Sequence, residues 1–193
     1  FPKNLKKKKT FKIIQTGKLN NDKKPQWTAE AVLHLLKMGE NISLEFIGKG
    51  SQKIRKEIKT KFKENNFSKK IKFTNFLSQK SLCRAYNQSN LCIFPEGTSL
   101  SALEIAACKK PVIMANHLAS KNRAKLGIGL TYERGNITDL KKKIFKLLKD
   151  KNFYNKVCNN SYKTVKYNFT YDHISKTFLN LCEKAVLKKN EKI

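Results

Sequence analysis

Arginine and acidic residues are the scarce groups in this sequence. Only Arg55, Arg84, Arg123 and Arg134 are arginine among 42 basic residues, against 14 Asp and Glu, and the formal net charge is +28. A charge of that size invites a nucleic-acid partner. Against it, the lysines run along the whole chain, and dedicated phosphate and base readers favour the bidentate fork of arginine. Nucleic acid is therefore disfavoured, and abundant Lys, Asn and Ile match the drift of an AT-rich genome. An anionic membrane surface suits clustered lysine better, at about 1 kcal/mol per residue. No apolar run approaches the roughly 18–20 residues of a membrane span, and no signal-peptide pattern is present. The five cysteines are odd in number and include no C-x-x-C pair, so neither a disulfide framework nor a thiolate zinc site is indicated. Cys92 on a strand and Cys108 on a helix read as small buried hydrophobes. A P-loop, a Ser-His-Asp set and a metal-spaced His/Cys cluster are all missing. The expected setting is a reducing cytoplasm, with peripheral contact at the inner membrane face. The chain opens on Phe-Pro rather than Met, which suggests a piece of something longer.

What is present is alternation. Residues 11–16, 44–47, 71–73, 91–94, 112–114 and 130–132 read as short buried strands. Helical spacing fills 27–36, 52–65 (Ser51 as cap), 79–86 (Ser78 as cap), the stretch from about 100, and 136–148. Two more helices are expected at about 151–167 and 172–188, and residues 116–127 read as an irregular polar loop. Residues 1–10, with four consecutive lysines, read as a linker or entry segment. Such alternation predicts an α/β, Rossmann-like, three-layer domain over 11–190 with a mostly parallel sheet of about six strands.

In a parallel sheet the carboxyl ends of the strands share one edge, where open α/β sheets bind ligands. The loops arriving there carry Gly17-Lys18, Lys23-Lys24, Gly48-x-Gly50, Glu96 to Ser101, and Asn116-His117. Helix N-termini offer N–H groups to phosphate oxygens, lysine adds mobile charge, and carboxylates accept pairs of sugar hydroxyls. A nucleotide-sugar combines all three demands. Plainer readings stand beside this one. Gly48-x-Gly50 lacks the third glycine of the dinucleotide fingerprint and is also an ordinary tight turn. Ser101-Ala-Leu-Glu104 has the form of a capping box, with Glu104 in the helix's first turn. The lysine loop is equally a solvated surface, and His34, His117 and His173 read as structural, loop or exposed residues.

Several stretches taken in order resemble a known family. FKIIQTGKLNNDKKP is similar to its strand, Gly-Arg-Leu and downstream Lys. LEFIGKG resembles its second strand with Gly-x-Gly. IKFTNFLSQKSLCRAYNQSNLCIFPE leads to a first acid, and EGTSLSALEIAACKKPVI is similar to its signature of two acids with seven residues between them. The whole resembles the carboxyl-terminal, donor-binding half of a GT-B-fold, group-1 (family-4) retaining glycosyltransferase.

The resemblance implies a hexosyltransferase that binds a UDP- or GDP-type sugar, with no separate cofactor and no metal. It implies that Glu96 contacts donor-sugar hydroxyls and Glu104 holds the ribose, while Lys18 and Lys23 grip the diphosphate and support its departure. Gly17 and Gly48 would flank the nucleotide, and Gly97, Thr98, Ser99 and Leu100 would lie against sugar and phosphate. It further implies a glycan or lipid-linked acceptor and an amino-terminal acceptor half absent from this chain. Departures are Lys18 for the usual Arg, Lys24 and the Lys109-Lys110 turn where glycine is usual, and Thr98-Ser99 for Phe-Gly. The alternatives are a non-catalytic nucleotide-sugar or nucleic-acid binding module on the same fold, and a Rossmann enzyme such as an epimerase, which the missing glycine fingerprint disfavours.

Overall fold

The apolar runs become strands, and their order places the site. The computed structural model describes residues 10–190; the expected linker lies, but for Thr10, outside the described residues. In chain order the elements are β1 (Phe11–Thr16), α1 (Pro25–Lys37), β2 (Ile42–Ile47), α2 (Gln52–Glu64), β3 (Ile71–Thr74), α3 (Gln79–Gln88), β4 (Leu91–Phe94) and α4 (Leu100–Ala107). Then follow β5 (Val112–Ala115), α5 (Leu118–Lys125), β6 (Leu130–Tyr132), α6 (Ile137–Lys149), α7 (Lys151–Asn168) and α8 (Tyr171–Asn190). The sheet runs β3-β2-β1-β4-β5-β6 and every pairing is parallel. The topological switch point therefore falls between β1 and β4, where Ile13 pairs with Leu91.

Each central strand feeds two cores because successive side chains point to opposite faces. Ile13, Ile93 and Ile113 pack with α1, α2 and α6 residues such as Val32, Ile58 and Ile144. Ile14, Cys92, Phe94 and Met114 pack on the other face with Ala102, Ile105 and Ala106 of α4. Helices on both faces explain why β4 and β5 are apolar without alternation. Ser51, Ser78 and Asn136 cap α2, α3 and α6, accepting from the N–H groups of Ile54, Ser81 and Asp139.

Two expectations need correction. Residues 118–125 of the supposed loop are helical, as α5. Its sequence LASKNRAK buries only Ser120, so it has no apolar stripe by which a helix is recognised. Cys108 is not a buried helical residue but the half-buried C-cap of α4, with exposed Cys83 nearby: the Asn87 amide lies 3.6 Å from the Cys83 sulfur and 3.8 Å from that of Cys108.

Both lysines that replace glycine sit in the left-handed region, Lys24 at φ 43° and Lys109 at φ 55°. A side chain there costs about 1–2 kcal/mol. Replacing Lys24 with glycine removes that strain, partly offset by the greater freedom of the unfolded chain. We expect a net gain of about 0.5–1 kcal/mol in urea unfolding; an unchanged or lower midpoint would contradict the strain.

Glu45, 5% exposed in β2, accepts from Thr74 Oγ1 and pairs with Lys12 at 2.5 Å and Lys72 at 3.1 Å. Burial pushes its pKa up, but the bonds from Lys12, Thr74 and Lys72 outweigh this and hold it below the ordinary carboxylate value. A depressed folded-state value stabilises above the unfolded value and is lost as pH falls through the folded one. Glu45→Gln should therefore flatten the fall in stability below about pH 4; an unaltered acid limb would contradict this.

Among the described residues, no helix is long and apolar enough to cross a membrane. α8 leaves Ile174, Phe178 and Leu181 exposed.

Candidate functional site

The loops after β1 and β2 are zipped together by backbone. Gly17 N–H donates to Ile47 O, Leu19 N–H to Lys49 O, and Ser51 N–H to Leu19 O. A Cβ at Gly48 would lie 2.0 Å from Gly17 O, and one at Gly50 would lie 2.2 Å from Leu19 O. The Gly-x-Gly pair is thus required for two backbones to touch. Arg55 Nη2 donates to Gly48 O at 2.6 Å and Nη1 to Asn75 Oδ1 at 3.2 Å, fixing the turn from behind. After Gly17 the chain makes a single 3-10 turn, Asn21–Lys23, before Pro25 opens α1. Gln15 Nε2 donates to Lys23 O at 3.1 Å, so β1 itself sets the height of Lys23.

At the switch point these loops meet the segment after β4. A cavity of about 190 Å³ is lined by Gln15, Thr16, Gly17, Lys23, Phe94, Pro95, Glu96, Gly97, Thr98, Ser99 and Ser101. Drug-sized ligands occupy roughly 300–1,000 Å³, so this cavity accommodates one part of a nucleotide-sugar. Of the residues expected from sequence, Gly17, Lys23, Glu96, Gly97, Thr98 and Ser99 line it. Lys18, Gly48, Leu100 and Glu104 do not. Lys18 is exposed, Leu100 is 75% exposed at the start of α4, and Gly48 is covered by Gly17.

Glu104 does not cap its helix. The cap position is Ser99, which makes no side-chain cap bond, and the first turn of α4 holds no acid. A reciprocal box needs the acid three residues after the cap, and Glu104 falls two residues too late. Its carboxylate instead accepts from the Tyr86 hydroxyl at 3.1 Å. Burial, with Glu104 beside it, raises the Tyr86 phenol above its ordinary value. Ser99 makes no side-chain cap bond, and the start of α4 lies at the cavity edge formed by Ser99 and Ser101, where free helix N–H groups suit anionic oxygens.

Two arginines, noted in the sequence only for their rarity and given no site role there, hold the segment from Glu96 to Ser99. Arg134 sends Nε to Glu96 Oε1 at 2.8 Å and Nη2 to the same oxygen. That contact raises the Arg134 guanidinium above its ordinary value. Arg123 of α5 donates through Nη1 to Thr98 Oγ1 and to Ser99 O at 2.6 Å, and burial lowers its value. Tyr132 completes the wall, its hydroxyl donating to Pro95 O at 2.5 Å. Three of the four arginines thus bind site loops in a chain whose default cation is lysine, and that rarity was the available signal. Gln15 Oε1, Glu96 Oε2 and His117 Nε2 are buried with no hydrogen-bond partner among the described residues. His117 also borders Gly97, where an added Cβ would lie 3.6 Å from its ring.

A six-stranded, all-parallel, doubly wound sheet with a cavity at its switch point, Glu96 just after β4 and Glu104 on the adjoining helix has the architecture of the carboxyl-terminal half of a GT-B fold. The chain matches the family model "Glycosyl transferases group 1" over residues 1–164 and belongs to that family. It is 28% identical over 187 residues to a probable sucrose-phosphate synthase of Thermosipho melanesiensis, covering 89% of this chain and 41% of that protein. The C-terminal domain of a glycosyl transferase group 1 protein (LpcC) from Francisella tularensis superposes with TM-score 0.75 at 23% identity, covering 83% of this chain and 87% of the other. Anabaena HepE in complex with UDP superposes with TM-score 0.79 at 16% identity, covering 91% and 49%. At such identities the structural likeness establishes the fold. The chain spans about two fifths of the length of the curated relative, 41%.

Proposed function

We propose that residues 11–190 form the donor domain of a retaining hexosyltransferase that binds a UDP- or GDP-type sugar. The observation that carries this reading is the convergence, at one switch-point cavity, of Lys23, the uncapped start of α4 and Glu96 with one unbonded oxygen. The diphosphate lies between Lys23 and the N–H groups of Gly97 to Leu100, and Lys18 reaches it from the exposed loop. The sugar hydroxyls meet Glu96, and the ribose meets Glu104 beside Tyr86. Cationic groups, rather than a metal, neutralise the charge that develops on the departing diphosphate. That HepE was solved with UDP and with UDP-glucose supports the ligand class.

The acceptor is a glycan or a lipid-linked glycan, and the basic surface suits work in the cytoplasm at the inner membrane face. The acceptor half lies outside residues 11–190. The share of HepE covered, 49%, and the exposed apolar face of α8 support that division. Thermal-shift screening with UDP-, GDP- and ADP-sugars against oligonucleotides tests the reading. Stabilisation by one nucleotide-sugar, lost in Glu104→Ala, is expected. Oligonucleotide binding with a steep salt slope and no nucleotide effect would overturn it.

A further inference from the structure

We infer that Arg134 is a positioning residue for the donor sugar: it ties up Glu96 Oε1 so that Oε2 alone is presented to a sugar hydroxyl. This rests on the donor-domain reading above and adds a residue that lies 38 positions away from its target. Both guanidinium donors go to a single oxygen, which is an uncommon use of a fork that normally spans both. The consequence is asymmetry in Glu96. Oε1 has two donors, while Oε2 is buried with no partner among the described residues. A buried carboxylate oxygen left unbonded is costly, and a hydroxyl placed there recovers that cost. Of the two oxygens only Oε2 is left without a donor, and the cavity that Glu96 lines is the side from which a hydroxyl would reach it.

The guanidinium is itself held by a braced turn. Arg134 N–H donates to Asn116 Oδ1 at 3.2 Å, which ties the turn after β6 to the loop after β5. Glu133 N–H donates to Asp139 Oδ2 at 2.8 Å, and Asn136 Nδ2 donates to Glu133 Oε2 at 2.8 Å. Asn136 also caps α6. Gly135, at φ 80°, turns the chain beside the Trp27 ring. The Tyr132 hydroxyl, two residues earlier at the end of β6, holds Pro95 next to Glu96. Strand β6 and the turn that follows it are thus joined to segment 95–96 at Tyr132 and at Arg134, the latter by the ion pair.

The opposite role is a latch, in which Arg134 occupies Glu96 and must leave before sugar binds. The two roles predict opposite signs. Titration calorimetry on the whole chain with UDP and UDP-glucose, and with GDP and GDP-mannose, separates them. In Arg134→Ala the Kd of the bound nucleotide-sugar should rise on the order of tenfold, while that of the parent diphosphate moves less than twofold. Arg134→Lys keeps one charged donor and should fall between the two. In a Glu96→Ala background, Arg134→Ala should have no further effect on the sugar increment. Tighter nucleotide-sugar binding in Arg134→Ala would establish the latch and overturn the inference. Equal losses for sugar and diphosphate, or additive effects with Glu96→Ala, would reduce Arg134 to a structural tie. Should Arg134→Ala not fold, the Lys variant and the cycle read with Arg134→Gln decide the same question. Wild-type chain that binds neither pair defeats the donor-domain reading itself, and the inference with it.

Discussion

Gly48→Ala should destabilise the chain by about 3–5 kcal/mol, the largest effect expected of any single methyl group here. Two costs add. The residue sits at φ 146°, where a side chain is strained, and its new Cβ would lie 2.0 Å from Gly17 O and 2.8 Å from Gly17 C. Neither atom is the end of a flexible side chain, so the loops after β1 and β2 must part. Their parting would break the bonds from Gly17 N–H to Ile47 O and from Leu19 N–H to Lys49 O. Gly39→Ala is the control. It also has positive φ, at 83°, but an added Cβ meets nothing within 4 Å, so only backbone strain of about 1–2 kcal/mol remains. Urea unfolding of both variants measures the difference. A Gly48→Ala loss no larger than that of Gly39→Ala would contradict the close approach. Nucleotide binding lost in Gly48→Ala reports the displaced Gly17 loop, not a contact of Gly48 with ligand.

Lys23→Ala should weaken nucleoside diphosphate binding by about 10–100-fold, the worth of a charge-assisted bond of roughly 1.5–3 kcal/mol. Free nucleoside should bind as before, because only the phosphates meet the ammonium. Lys18→Ala should cost less than about threefold, as expected of a mobile, solvated charge. The two lysines look alike in the sequence, and the difference lies in support. Lys23 closes a 3-10 turn whose carbonyl is held by Gln15, and it lines the cavity. Lys18 is exposed beside Gly17 and does not line the cavity. Isothermal titration of UDP or GDP against the matching nucleoside measures both. Equal losses for nucleoside and diphosphate would remove Lys23 from the phosphate site, and a larger loss at Lys18 would reverse the assignment.

The strands were legible because each carries a short run rich in apolar residues, closed after β1, β2 and β4 by Gly17, Gly48 and Pro95. The two glycine-to-lysine departures were legible too, since only a left-handed residue makes glycine usual at Lys24 and Lys109. α5 was not, because its side chains mostly meet solvent and leave no period in the sequence. Glu104 was misplaced on its helix by the form of Ser101-Ala-Leu-Glu104. The cap lies two residues earlier, at Ser99, and that offset turns the acid away from capping and toward Tyr86. The site roles of Arg123 and Arg134 were not legible, since they depend on partners 24–38 positions away, brought near only by the parallel order of β4, β5 and β6. Local pattern shows where an acid stands, whereas the cation that aims it belongs to a loop two strands over.

The central claim is that the switch-point cavity between β1 and β4 receives the diphosphate and sugar of a nucleotide-sugar donor. A crystal structure of the chain soaked with the nucleotide-sugar selected by thermal shift tests it most directly. The account predicts the diphosphate against Lys23 and the N–H groups of Gly97 to Leu100, a sugar hydroxyl on Glu96 Oε2, and Arg134 still on Oε1. Ligand bound instead on the lysine-rich face of α2, with the cavity lined by Gln15, Lys23 and Glu96 unchanged, would contradict it.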